Sequence, residues 1–266
     1  MLTPGLRWFF AAAAALALVA GIQLFVLASE TDRFFSWTIE PPLTAAFLGA
    51  AYWAACVLLT WAARQRSWWT ARAALPPVFA IAVLLLVTTL IHLDKFDLDS
   101  LFGWFWLVVY ILVVPLLAFL VVQQVGSAGS KPSGGTPLPL PLRALLSIQA
   151  AVLIALGAAL FVAPLDADAL WAWVVSPLTG RAVGAFLLGF GIAAAFAVRE
   201  DDLEGMRGPA LAYAGLGALE LLAVAIHSGD LTATDAGTAF YVAFCASIVA
   251  AGFYGLASAR SAESRS

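Results

Sequence analysis

Eight stretches of about 20 mostly apolar residues constrain what this chain can fold into: approximately 7–28, 43–63, 73–93, 101–122, 142–163, 179–198, 209–227 and 236–257. A helix needs about that length to cross the hydrocarbon of a bilayer. Inside it, every backbone polar group must find its partner within the segment. Each stretch is closed by charge, Pro or Gly. The rest of the 266 residues agree, with 63% hydrophobic and only 11% charged, against roughly 45–50% apolar and about 25% charged in soluble domains. The predicted fold class is therefore all-α, a polytopic integral membrane protein with eight transmembrane helices. The first partner of such a chain is the lipid bilayer.

The first stretch follows Arg7 and ends near Val26-Leu27-Ala28-Ser29, as a secretory signal would, but its apolar run exceeds the 7–15 residues of a signal core. It reads as a retained helix. Trp8, Trp37, Trp61, Trp68, Trp69, Trp171 and Trp173 fall at or near span ends, where an indole prefers the headgroup layer. Counting Lys and Arg on alternate loops puts ten on the side of the N-terminus and three (Arg33, Lys95, Arg181) on the other. The positive side faces the cytoplasm, so both termini are expected there, in a cell membrane.

Residues 126–141, rich in Gly, Ser and Pro, read as a flexible cytoplasmic linker. They separate four spans (1–125) from four more (142–258), with a disordered tail at 259–266. Sliding one half over the other gives matches at a nearly constant offset. Leu6-Arg7 meets Leu142-Arg143, Gly21 meets Gly157, and Leu24-Phe25-Val26 meets Leu160-Phe161-Val162. One deletion later Pro42-Leu43-Thr44 meets Pro177-Leu178-Thr179, Gly49 meets Gly184, Arg64 meets Arg199, and Ile91-His92 meets Ile226-His227. Those are the only two His in the chain. An even number of spans per half gives both halves the same orientation, so the expectation is two parallel four-helix repeats about an axis along the membrane normal.

Candidate functional residues are few. His92 and His227 end the third and seventh spans, followed by Asp94 and Asp230, and the repeat puts both clusters on one membrane face. Two imidazoles near the axis can hold a transition metal with carboxylate help, or one haem. The plainer alternatives are interfacial side chains meeting water or a carbonyl, or a protonatable gate. Glu220 is the one formal charge well inside a span. It stands seven residues before His227 on the same helix face and about 10 Å deeper. Intramembrane carboxyls face a bundle interior or a hydrated path, so Glu220 is either a proton-linked or ligand-contacting group or a neutral carboxyl bonded to a neighbouring helix. The other half has Leu85 there. Thr88 and Thr89, one turn before His92, are candidates to line the same space, and Pro115 is expected to kink the fourth span.

Several chemistries are excluded. No Lys lies within a span, which denies a retinal-like chromophore its Schiff base. No P-loop, dinucleotide fingerprint, serine elbow, zinc-protease or haem-attachment motif occurs, which argues against an enzyme. Cys56 and Cys245 sit singly inside apolar runs and read as packing residues. A net charge of −3 offers no basic footprint for nucleic acid. Three functional readings stand. The leading one is a transporter-like protein with a cavity between two repeats and a small-molecule ligand. The others are a haem- or metal-binding electron-transfer subunit using the paired His, and a non-catalytic scaffold or accessory subunit, as a homo-oligomer or in a membrane complex.

Overall fold

The computed structural model describes every residue except 131–134, 168–169, 233 and 264–266. Lys131 and Arg265 of the charge count lie outside the described residues. Among the described residues, eight helices are long and apolar enough to cross a membrane. The chain is an all-helical, multi-pass integral membrane protein. The helices are α1 (Pro4–Gly21, prolonged by a π-helical turn over Ile22–Val26), α2 (Pro42–Arg64), α3 (Leu75–Ile91, entered through short turns over Trp68–Ala71 and Arg72–Ala74) and α4 (Leu101–Gly126). After the linker come α5 (Leu140–Val162), α6 (Pro177–Glu200), α7 (Arg207–Ile226) and α8 (Asp235–Glu263).

Helix starts follow from local chemistry. Pro stands in the first turn of α1, α2, α3, α5 and α6, where its missing N–H would have had no partner. Ser100 and Ser176 cap α4 and α6, their hydroxyls accepting from the amides of Gly103 at 3.1 Å and Thr179 at 3.3 Å. Helix ends run past the apolar stretches because apolarity marks the hydrocarbon rather than the end of the helix. Thus α8 continues through residues 259–263, where composition suggests a disordered tail, and α4 runs on to Gly126 with Pro115 inside it.

Spans α2, α3, α6 and α7 form the centre, with α2 packed along α7 and α6 along α3. Outside them, α1 lies on α2, α5 on α6 and α8 on α7. Lipid tails are as apolar as the helices, so association relies on close approach, and glycines supply it. A Cβ on Gly49 would stand 2.5 Å from the amide of Phe25, and one on Gly184 2.7 Å from the carbonyl of Gly157. Likewise α8 presses on α7 through Gly252, whose Cβ would lie 2.5 Å from the Ala214 amide, and through Gly217. The positions 135 residues earlier are Leu117 and Ala82. There α4 follows α3 over a much shorter run, and space opens between them.

The start of α1 lies at the end of the bundle where α2 and α4 finish; the amide of Leu2 donates to the Arg66 carbonyl, and Gln124 bonds Thr3 and Met1. At the opposite end the loops are tied by one recurring bond. The Asp97 amide donates to the Ser36 carbonyl at 3.2 Å, and the Thr232 amide to that of Ala172 at 3.1 Å. Each loop packs two rings against one from a helix: Phe35 and Trp37 with Trp106 of α4, centroids 4.8 to 5.3 Å apart, and Trp171 and Trp173 with Tyr241 of α8, at 4.9 to 5.8 Å. This corrects one expectation. Trp37, Trp68, Trp171 and Trp173 are buried in protein rather than set in the headgroup layer, whereas Trp8 is exposed. Mutual ring packing over the bundle's end removes Trp37, Trp171 and Trp173 from the interface, and Trp68 packs in the core with Leu6 and Leu75.

Candidate functional site

A sizeable cavity lies among the first four spans, with Phe186 of α6 in its wall. It encloses about 380 Å³ between α1, α2, α3 and α4, within the roughly 300–1,000 Å³ of small-molecule sites. Its wall is apolar and aromatic, including Phe9, Phe35, Phe105, Trp106 and Phe186. At its mouth Val19, Leu101 and Phe105 are more than half exposed, so the chamber opens between α1 and α4 toward lipid.

Two tyrosines line it from opposite helices. Tyr52 of α2 and Tyr110 of α4 bring their hydroxyls to 2.8 Å, with Tyr52 edge-on to Phe186 and Tyr110 tilted against Trp106. Three other polar groups of the wall have partners of their own. The Trp106 N–H donates to Thr89, the Gln23 amide to the Phe34 carbonyl and the Ser36 hydroxyl to the Phe102 carbonyl.

A second cavity, of about 80 Å³, lies between the halves at the end where α1 starts. It is formed by α2, α3, α6 and α7, with Glu200, Asp202 and Trp69 near its mouth. Arg72 pairs there with Glu200 and lies over the Trp69 ring at 4.4 Å. Ala55, Val78 and Ile81 line both cavities, so the two are neighbours across a thin shared wall.

The residues singled out from sequence lie around these spaces rather than in them; neither lining includes His92, His227, Glu220, Thr88 or Thr89. His92 Nε2 is 2.9 Å from Arg181 Nη1 on α6. A guanidinium only donates, so Nε2 accepts and the ring proton sits on Nδ1. Burial foremost, then the Arg181 charge, holds the imidazole below its usual 6.5, with Asp94 opposing. Asp94 itself is exposed, paired with Lys95 at 3.0 Å and held below the ordinary carboxylate range chiefly by that bond. Asp230 accepts from the Leu43 amide at the start of α2 at 2.9 Å. The two His clusters thus engage different helices, α6 and α2. Among the described residues no group of three or more His, Cys, Asp or Glu could hold a metal ion.

Glu220 is buried between α7 and α8 at 2% exposure. Its Oε2 accepts from the Tyr241 hydroxyl at 3.1 Å, while Oε1 has no partner among the described residues. Thr89 donates to the Leu85 carbonyl at 2.7 Å and accepts from Trp106, whereas the Thr88 hydroxyl is buried without a described partner.

Sequence reasoning missed the chamber and its tyrosines. The signal was present, in the Ala82 and Leu117 that stand where the second half has Gly217 and Gly252. No protein-family model, curated protein or solved structure matches this chain.

Proposed function

We propose that this membrane protein is transporter-like, built from two parallel four-helix repeats, and moves a small, mostly apolar molecule between the chamber and the cleft. The observation that carries this reading is the pair of neighbouring cavities, one opening between α1 and α4 and one between the halves, that share Ala55, Val78 and Ile81 in their walls. A molecule entering from lipid between α1 and α4 meets an apolar wall that needs no replacement of a hydration shell. The scarcity of polar residues in the spans suits such a ligand. The cleft between the halves supplies the exit, on the side that loop charge assigns to the cytoplasm.

Duplication is supported by recurring detail: the matched loop bonds of Asp97 and Thr232, the two aromatic trios, and the reciprocal packing of α2 on α7 and α6 on α3. In this reading Glu220 holds α8 to α7 through Tyr241 rather than contacting the ligand.

The test is native mass spectrometry of the protein extracted in mild detergent, beside Ala20→Phe at the half-buried lip of the chamber and Ala55→Phe in the shared wall. Wild type should retain small apolar molecules that both variants lose while eluting as folded protein. Equal retention by all three would refute the chamber as a binding site.

A further inference from the structure

Resting on the chamber as the binding site, its donors and ring surfaces narrow the class of ligand. Tyr52 and Tyr110 carry two O–H groups, and their single mutual hydrogen bond uses only one of the two protons. Among the described residues neither hydroxyl has another partner. The Trp106 N–H and the Ser36 hydroxyl are spent on Thr89 and on the Phe102 carbonyl, and one Gln23 N–H on the Phe34 carbonyl. The tyrosine pair therefore keeps one uncommitted O–H on side chains that line an apolar space. A donor so placed is satisfied by an acceptor oxygen, whereas a charge brought beside it would lose its hydration without a counter-charge.

Its depth adds a second constraint. Tyr110 lies nine residues into α4 from Leu101, about 13 Å at 1.5 Å per residue and so close to the middle of a roughly 30 Å hydrocarbon layer. A phospholipid cannot bring its headgroup there without desolvating a charge. A neutral molecule with its oxygen on the body of the ligand can. Phe186 packs on Tyr52 and Trp106 on Tyr110, Phe35, Phe102 and Phe105 line the same chamber, and flat conjugated surfaces pack on such rings in offset or edge-on geometries.

We infer that the chamber binds a neutral, lipid-soluble molecule bearing a carbonyl on a flat ring, the chemistry of a membrane quinone, with the Tyr52–Tyr110 hydroxyl pair donating to that carbonyl. The proposal concerns binding alone and involves no electron transfer.

Equilibrium binding to the full chain in lipid nanodiscs tests it with two probes, decylubiquinone and the carbonyl-free decylbenzene, on wild type, the Tyr52→Phe/Tyr110→Phe double variant and Ala20→Phe. The expected result is saturable quinone binding to wild type, weakened about tenfold in the tyrosine variant, as loss of one buried hydrogen bond predicts, with decylbenzene bound equally by both. Ala20→Phe should bind neither probe. Equal quinone affinity with and without the hydroxyls would overturn the carbonyl assignment while leaving the chamber intact, as would equal weakening of both probes. Should neither probe bind wild type saturably, the assignment and the chamber reading both fall.

Discussion

A single side chain can be asked for little in a bundle this apolar, and the polar ones here are mostly spent on holding helices together. His92 illustrates it. Its Nε2 accepts from Arg181, which requires a neutral ring, and protonation would set two cations at 2.9 Å. The fold lowers the affinity of this imidazole for a proton, through burial first and Arg181 second. An unfolded chain therefore takes up the proton at higher pH than the folded one, and the stabilisation is present above about pH 6.5 and lost as pH falls through the lower folded value. Thermal unfolding in detergent should show a falling midpoint from pH 7.5 to pH 5. In His92→Gln, whose amide oxygen keeps the acceptor without titrating, that part of the fall should disappear. An unchanged pH profile in the variant would show that His92 is not the group responsible. Glu220 belongs to the same scale. Its rarity makes it conspicuous in a sequence, yet burial beside Tyr241 and absence from both cavity walls make it a cross-link between α7 and α8.

At the scale of elements, the spans were legible because the demand of the hydrocarbon is one-dimensional: length and apolarity suffice, and eight candidates become eight helices. What lay outside that signal was how tightly adjacent spans meet, since Gly, Ala and Leu are all tolerated within a span yet differ sharply in the approach they permit. Gly217 and Gly252 let α8 lie along α7, while Ala82 and Leu117 keep α4 off α3 and leave the chamber. Tryptophan misled for a related reason. An indole at a span end suits the headgroup layer, and nothing in Trp173 itself reveals that its N–H will donate to Thr44 at 2.7 Å inside the bundle. The packing argument predicts that Gly252→Leu, which installs the residue of the other half, costs about 1–3 kcal/mol or more, because its Cβ would stand 2.5 Å from the Ala214 amide. Unfolding midpoints should register the loss together with a looser α7–α8 pair. A variant as stable as wild type would mean that backbone proximity at Gly252 does not set the contact.

For the whole molecule, the question is what joins two halves that each span the membrane four times. Lipid offers no hydrophobic drive for their union, so the interface must consist of close packing and specific bonds. Among the described residues, the bonds that cross it include Trp173 to Thr44, the Leu43 amide to Asp230, Arg181 to His92, and Arg72 with Glu200. They sit at both ends of the bundle, three at the far end and one beside the cleft, while α2 against α7 and α6 against α3 fill the middle. Every one joins a residue before the linker to one after it, so chain continuity through residues 126–141 adds little beyond proximity. Cutting the gene between Ser130 and Gly135 and co-expressing the two pieces should therefore yield halves that purify together at one to one. Either piece alone should aggregate or be degraded, with unpaired Asp230 and Arg181, or Thr44 and His92, left at a bare face. Replacing Thr44 by Val and Asp230 by Ala together should weaken the reassembled pair more than the intact chain, because only the split protein depends on those bonds for association. If each half instead extracts as a stable, monodisperse four-helix protein, the cross-half bonds are incidental. The route through Ala55, Val78 and Ile81 would then lose the rigid frame that alternate opening of its two ends requires.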